Sequence, residues 1–285
     1  MEFLLTTLLN ALTLISILTL VGLGLAISFG LMNVTNLAHG EFVTVGAFAV
    51  YFIQSMGGSF WLGLLAAPFV GGAVGIVLEY LVIRHLYARP VSTILATWGI
   101  SLILQQSLEL LFGLGAKPVV PPVDGTLDLY FTTYPAYRLI LIGIAGATLL
   151  CVLFLVNRTS FGLDIRTVIQ NREMAEGVGI NTRRTYAIAF AFGAAIAGLA
   201  GGLVSPLAIV LPQMGVNYLA NAFFVVIVGG VGSLGGLVAG STFVGGLTSI
   251  LNYQISPSLA QAIVLLAAIV AVRLRPNGLF NGAAR

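Results

Sequence analysis

Four stretches of this chain, 3–30, 60–83, 186–204 and 259–272, are apolar almost without a break. They approach or exceed the ~20 residues that carry a helix across a ~30 Å hydrocarbon core. No soluble fold hides so much apolar surface: 59% of the 285 residues are hydrophobic and 7% are charged, against about 25% charged in soluble domains. The bilayer is therefore the solvent. The runs are continuous over about twenty positions, whereas barrel strands alternate over about ten, so the backbone is satisfied within helices. The expected fold is all-α, a polytopic transmembrane helical bundle forming one domain over 1–285. Spans are expected near 5–30, 41–57, 61–84, 91–113, 138–157, 186–205, 217–231, 234–251 and 258–274. The opening run lacks the basic start of a signal peptide and exceeds its ~7–15-residue apolar core, so it is expected to be a retained span.

Charge orients the bundle. Arg84, His85 and Arg89 follow the third span, Arg158, Arg166, Arg172, Arg183 and Arg184 follow the fifth, and Arg273, Arg275 and Arg285 end the chain. Clustered basic residues mark cytoplasmic segments. Segment 113–137 sets Lys117 against Asp124 and Asp128 and carries Pro118, Pro121, Pro122 and Pro135, which suit an ordered extracytoplasmic loop and resist helix. The amino terminus is then outside and the carboxy terminus cytoplasmic, in a multi-pass bacterial inner-membrane protein. Counting directions makes 1–113 and 186–285 two inverted halves about the central span 138–157 and a cytoplasmic segment 158–185.

Several functions are excluded. The net charge of +3 comes without a basic stripe interleaved with aromatics, so nucleic acid is not a partner. Cys151 is the single cysteine and His39 and His85 are the only histidines, which leaves no disulfide, metal site or catalytic constellation.

The polar groups that remain lie at breaks in the spans. The first break contains Asn33, Asn36, His39 and Glu41, and Glu41 at a helix start suits the positive dipole end. The second contains Gln213, Asn217 and Asn221, followed by a glycine cluster, 229–236, that lacks a Walker A ending and suits close helix crossing and a tight turn. In the fourth span Thr97, Ser101 and Gln105 share a face at i, i+4 spacing beside Trp98. Such groups either satisfy freed backbone and glue helices together or line a translocation path; paired interruptions in inverted halves point to a transport site near the midplane.

The inner segment has its own signal. Asn171 can cap a short helix that Gly177 or Gly179 stops, with Glu173 near its positive end and Met174 as an apolar knob. A short capped helix exposed to the cytosol suits a partner groove.

These residues carry a resemblance. "FGLDIRTVIQNREMAEGVGIN" at 161–181 is similar to the cytoplasmic coupling segment of permease subunits in branched-chain amino acid and urea ATP-binding cassette importers. "MNVTNLAHGEFVTVGAF", "FVVIVGGVGSLGGLVAGS" and the ending "LRPNGLF" resemble the same family in order along nearly the whole chain. The resemblance implies a non-catalytic permease that pairs with a homologous second permease, two cytoplasmic ATP-binding subunits and a periplasmic or extracellular solute-binding protein. ATP and Mg would be held by the ATP-binding subunits, and this chain would hold no cofactor. It also implies that Gln170, Asn171, Arg172, Glu173, Met174, Ala175, Glu176, Gly177, Gly179 and Ile180 form the segment that couples to the ATPase. "ILATWGISLILQQ" and "VIQNREMA" look closer to the urea and short-amide members than to amino acid members. Apart from the resemblance, broken helices in inverted repeats equally permit an ion-coupled secondary transporter.

Overall fold

The computed structural model describes residues 2–32, 36–86, 89–128, 132–275 and 278. Asn33, Arg285 and most of the motif "LRPNGLF" lie outside them. The helices are α1 (Glu2–Met32), α2 (His39–Ser55), α3 (Phe60–Leu81), α4 (Pro90–Phe112), α5 (Ala136–Arg158), α6 (Ser160–Gln170), α7 (Arg172–Gly177), α8 (Thr182–Val204), α9 (Gly215–Gly229), α10 (Leu234–Gln254) and α11 (Pro257–Leu274). A single 3-10 turn, Ile83–His85, follows α3.

Local chemistry sets the ends. The Ser59 hydroxyl accepts from Leu62 N–H to start α3, Ser233 does the same for Gly236 at α10, and Pro257 opens α11, where its missing N–H costs nothing. Gly113, at φ +78°, closes α4 in a conformation that L side chains disfavour.

Seven helices, α1, α3, α4, α5, α8, α10 and α11, are long and apolar enough to cross a membrane. The expected second and seventh spans are shorter elements. α2 has 17 residues and α9 has 15, so at 1.5 Å per residue they reach about 26 and 23 Å, less than a ~30 Å core. The segment between α4 and α5, expected as an ordered loop that resists helix, contains a two-stranded antiparallel hairpin, β1 (Thr126–Asp128) and β2 (Thr133–Pro135). The rest is all-α.

α1 and α8 form the centre, with 72% of each span buried, against 17–22% for the peripheral α4, α5 and α11. They cross at Gly24 and Gly193, where a Cβ on either glycine would run into the backbone carbonyl of the other. Gly46 meets Gly198, and Gly201 meets Val43, in the same way between α2 and α8. Packing is crosswise. α3 lies on α8 as α10 lies on α1; α2 lies on α8 as α9 lies on α1; α4 leans on α2 as α11 leans on α9. The contacts thus form two like groups, with α2, α3 and α4 gathered about α8 and with α9, α10 and α11 gathered about α1.

The two ends of the bundle differ in charge. One carries the hairpin, with Lys117 and Arg138; the other carries Arg84, Arg89, Arg158, Arg166, Arg172, Arg183, Arg184, Arg273 and Arg275. They are called the hairpin end and the arginine end below. Thr6 on α1 bonds Thr132 at 2.9 Å, which fixes the start of α1 at the hairpin end.

Candidate functional site

The two interruptions bring the starts of α2 and α9 together inside the bundle. Gly40 and Gly215 lie so close that a Cβ on either would strike the other's carbonyl oxygen. His39 Nε2 donates to Val21 O at 3.2 Å, which places this junction beside the twentieth residue of α1 and well inside the bundle. A helix start leaves backbone N–H groups without partners, and the polar residues of the first break answer them. Asn36 Oδ1 accepts from Ala38 N–H at 3.0 Å, and Thr97 Oγ1, reaching from α4, accepts from Leu37 N–H at 3.1 Å. Two buried atoms at the junction, Asn36 Nδ2 and His39 Nδ1, have no partner among the described residues.

Glu41, in the first turn of α2 and 1% exposed, gathers the rest of the α4 stripe. Ser101 Oγ donates to Oε1 at 2.8 Å, Gln105 Nε2 to Oε1 at 2.7 Å, and Thr44 Oγ1 to Oε2 at 3.3 Å. The i, i+4 pattern of Thr97, Ser101 and Gln105 is therefore the seam along which α4 meets α2. Trp98 stands apart from it, 56% exposed on the outer face of α4. In the second break Asn221 Nδ2 donates to Asn217 O at 3.1 Å, while Gln213 and Asn217 are exposed on the bundle surface at the start of α9.

At the arginine end, α6 lays Gly162, Ile165 and Val168 against the bundle and hands over to α7 at Asn171. The sequence suggested one short helix where there are two, and Gln170 closes α6 and is not part of α7. Asn171 Oδ1 accepts from Met174 N–H at 3.0 Å, and Gly179 takes φ +89° just beyond the last turn. Ala175 is buried, whereas Met174 and Val178 are 68% and 72% exposed. Glu176 ties α7 to α8: Thr182 Oγ1 donates to its carboxylate at 2.6 Å and Arg172 Nε at 3.2 Å. Those bonds, Thr182's first, hold the Glu176 carboxyl below its ordinary range.

Sequence patterning missed a polar cleft at the hairpin end. It holds about 460 Å³ between α1, α5, α8, α9 and α10. Arg138 Nη1 donates to Asn10 Oδ1 at 2.7 Å, and Tyr134 joins Asn10 and Thr13 through its hydroxyl at 3.1 and 3.0 Å. Tyr218 and Asn252 also line it. Its only sequence signal was an arginine on the side where basic residues are sparse.

Seven long spans, with two shorter helices meeting start to start inside the bundle, define a polytopic membrane protein of permease type. A family model described as "Branched-chain amino acid transport system / permease component" matches residues 7–272. The high-affinity branched-chain amino acid transport system permease protein LivH of Salmonella typhimurium is 24% identical, over 98% of this chain and 96% of its own length. LivH of Escherichia coli K12 is 25% identical over the same shares. The probable branched-chain amino acid transport permease LivH of Methanocaldococcus jannaschii is 25% identical over 88% and 82%. No solved structure matches the chain. The chain belongs to the permease family of branched-chain amino acid ATP-binding cassette importers, and is a non-catalytic membrane component.

Proposed function

We propose that this chain is the permease subunit that moves a small polar solute into the cell, driven by ATP hydrolysed on two separate cytoplasmic subunits. One observation carries the proposal: α7 is a capped helix at the arginine end with Met174 and Val178 turned outward. It offers two apolar contacts to a groove and is bonded through Glu176 to the first turn of α8, the helix whose Gly193 crosses α1 at Gly24. A groove that moves α7 would then pull on the core. The arginine end is read as cytoplasmic and the start of α1 as outside, because nine of the described basic residues lie at one end and two at the other. ATP and Mg belong to the docked subunits.

Gln213 and Asn217 support a second permease as partner. Lipid cannot satisfy exposed amides deep in a bilayer, and both lie near Gly215, which touches Gly40 inside the bundle. A facing subunit, or the path between two subunits, can satisfy them. The junction residues Asn36, His39 and Glu41 and the seam of Thr97, Ser101 and Gln105 are then the part of this chain nearest that path. A solute-binding protein would deliver to the hairpin end.

The substrate is proposed to be a branched-chain amino acid, the class for which the relatives above are named. Urea and short amides, suggested by the motifs in α4 and at the α6–α7 junction, are the competing class. The test is the double variant Glu173→Arg, Met174→Asp in the reconstituted importer. It is expected to assemble and to lose the coupling of hydrolysis to uptake; normal coupling would overturn the role of α7. Uptake by the purified chain alone, driven by an ion gradient without ATP, would establish a secondary transporter instead.

A further inference from the structure

The cleft at the hairpin end contains polar groups that its own fold leaves unused. Arg138 carries five N–H donors but makes one hydrogen bond among the described residues, to Asn10. Its guanidinium faces the Tyr134 ring at 5.8 Å and has no acidic partner among the described residues. Asn10 gives its carbonyl oxygen to both Arg138 and Tyr134, so its amide nitrogen is free to donate. The Tyr218 hydroxyl and the Asn252 side-chain amide, which also line the cleft, bond nothing among the described residues. The remaining wall is aliphatic, from Leu14, Ile17, Val204 and Leu207.

A partly buried cation without a counter-ion is costly, and the cost falls when an anion enters. The planar guanidinium matches a carboxylate, which accepts two N–H groups at once in charge-assisted bonds. A neutral solute such as urea would leave the charge uncompensated. The cavity of about 460 Å³ lies within the ~300–1,000 Å³ of small-molecule sites. One part of the lining suits a carboxylate and another suits a hydrocarbon side chain.

We propose that this cleft is a solute site of the permease, in which Arg138 and the Asn10 amide hold the carboxylate of an aliphatic amino acid whose side chain rests on Leu14, Ile17 and Leu207. This rests on the reading of the chain as an importer permease. It adds that the permease itself inspects the charge of what it is handed.

The experiment uses the complete importer in proteoliposomes. Cys151, the single cysteine, is replaced by alanine, and Asn252→Cys puts a reporter thiol in the cleft. Leucine is expected to slow labelling of that thiol; leucinamide, which lacks the carboxylate, and urea are expected to leave it unchanged. Adding Arg138→Gln should abolish the protection and lower leucine uptake by about tenfold or more, as loss of a charge-assisted hydrogen bond requires. If Arg138→Gln does not assemble, the contrast between leucine and leucinamide in the Arg138 cleft decides. Uptake of urea but not leucine by the unaltered importer would refute the substrate class. Normal leucine uptake without any protection by leucine would refute the cleft alone. Protection that survives Arg138→Gln while uptake falls would make Arg138 a contact for the delivery protein and overturn the proposal.

Discussion

Removing the α7 cap by Asn171→Ala tests the coupling role where the structure allows a magnitude. α7 has six residues, far below the ~12–15 at which isolated helices become even marginally stable in water. Three things hold it: the Asn171 cap, the buried Ala175, and the bonds from Thr182 and Arg172 to Glu176. The Arg172–Glu176 pair is about half exposed, 52% and 51%, so water screens it and its contribution is small. A lost asparagine cap costs about 1 kcal/mol and is the larger of the two effects. At about 1.4 kcal/mol per factor of ten, the ratio of ordered to open α7 falls about fivefold. The assay has two readouts in the assembled importer: hydrogen exchange at the Met174 amide, which donates to the cap, and solute moved per ATP hydrolysed. Both should worsen together, exchange by about the same fivefold. Asn171→Asp, which keeps the acceptor, should restore both. An alanine variant with unchanged exchange and coupling would refute the reasoning, and so would an aspartate variant as damaged as the alanine.

Further outcomes follow from the core and from Glu176. Gly201→Ala puts a Cβ into the Val43 carbonyl and should destabilise by about 1–3 kcal/mol, read as a lower melting temperature in detergent, whereas Gly143→Ala on α5 meets open space and should change nothing. Glu41→Ala leaves the Ser101 hydroxyl without its acceptor, at about 1–3 kcal/mol, while Gln105 keeps its bond to Ser101; an engineered disulfide between α2 and α4 should form more slowly, and unchanged cross-linking would refute the seam. The Glu176 carboxyl is held below its ordinary ~4.3, so its tie to α8 is complete above that value and fails as pH falls through the lowered one. The protection of α7 amides, relative to the intrinsic exchange rate at each pH, should therefore be flat from neutrality down to the ordinary carboxylate value and fall only below it, and Glu176→Gln should remove that dependence.

Features set by local chemistry were legible in the sequence. The length of the apolar runs announced the spans, and Asn171, Met174 and Gly179 announced a capped helix because a cap needs only residues three or four apart. The same holds for the glycine cluster at 229–236, where Gly229 and Gly236 meet backbone to backbone and Gly230 and Gly232 turn the chain at φ +104° and +81°. The i, i+4 spacing put Thr97, Ser101 and Gln105 on one face, but could not say what that face meets, because Glu41 lies 60 residues from Ser101.

The same limit explains why the cleft was invisible. Arg138 bonds Asn10 across 128 residues, and Tyr218 and Asn252 come from two further helices. None of the four lies in a periodic pattern or a motif, so each reads alone as a loop or span-end residue. Only the packing of α1 with α5, α9 and α10 brings them to one cleft. Polar groups that satisfy a helix's own backbone leave a local trace; groups that several helices bring together and leave unsatisfied do not, although their free donors are what a ligand can use. A functional search in a bundle of this kind should therefore begin from donors without partners, with the sequence patterns serving to explain the donors that have them.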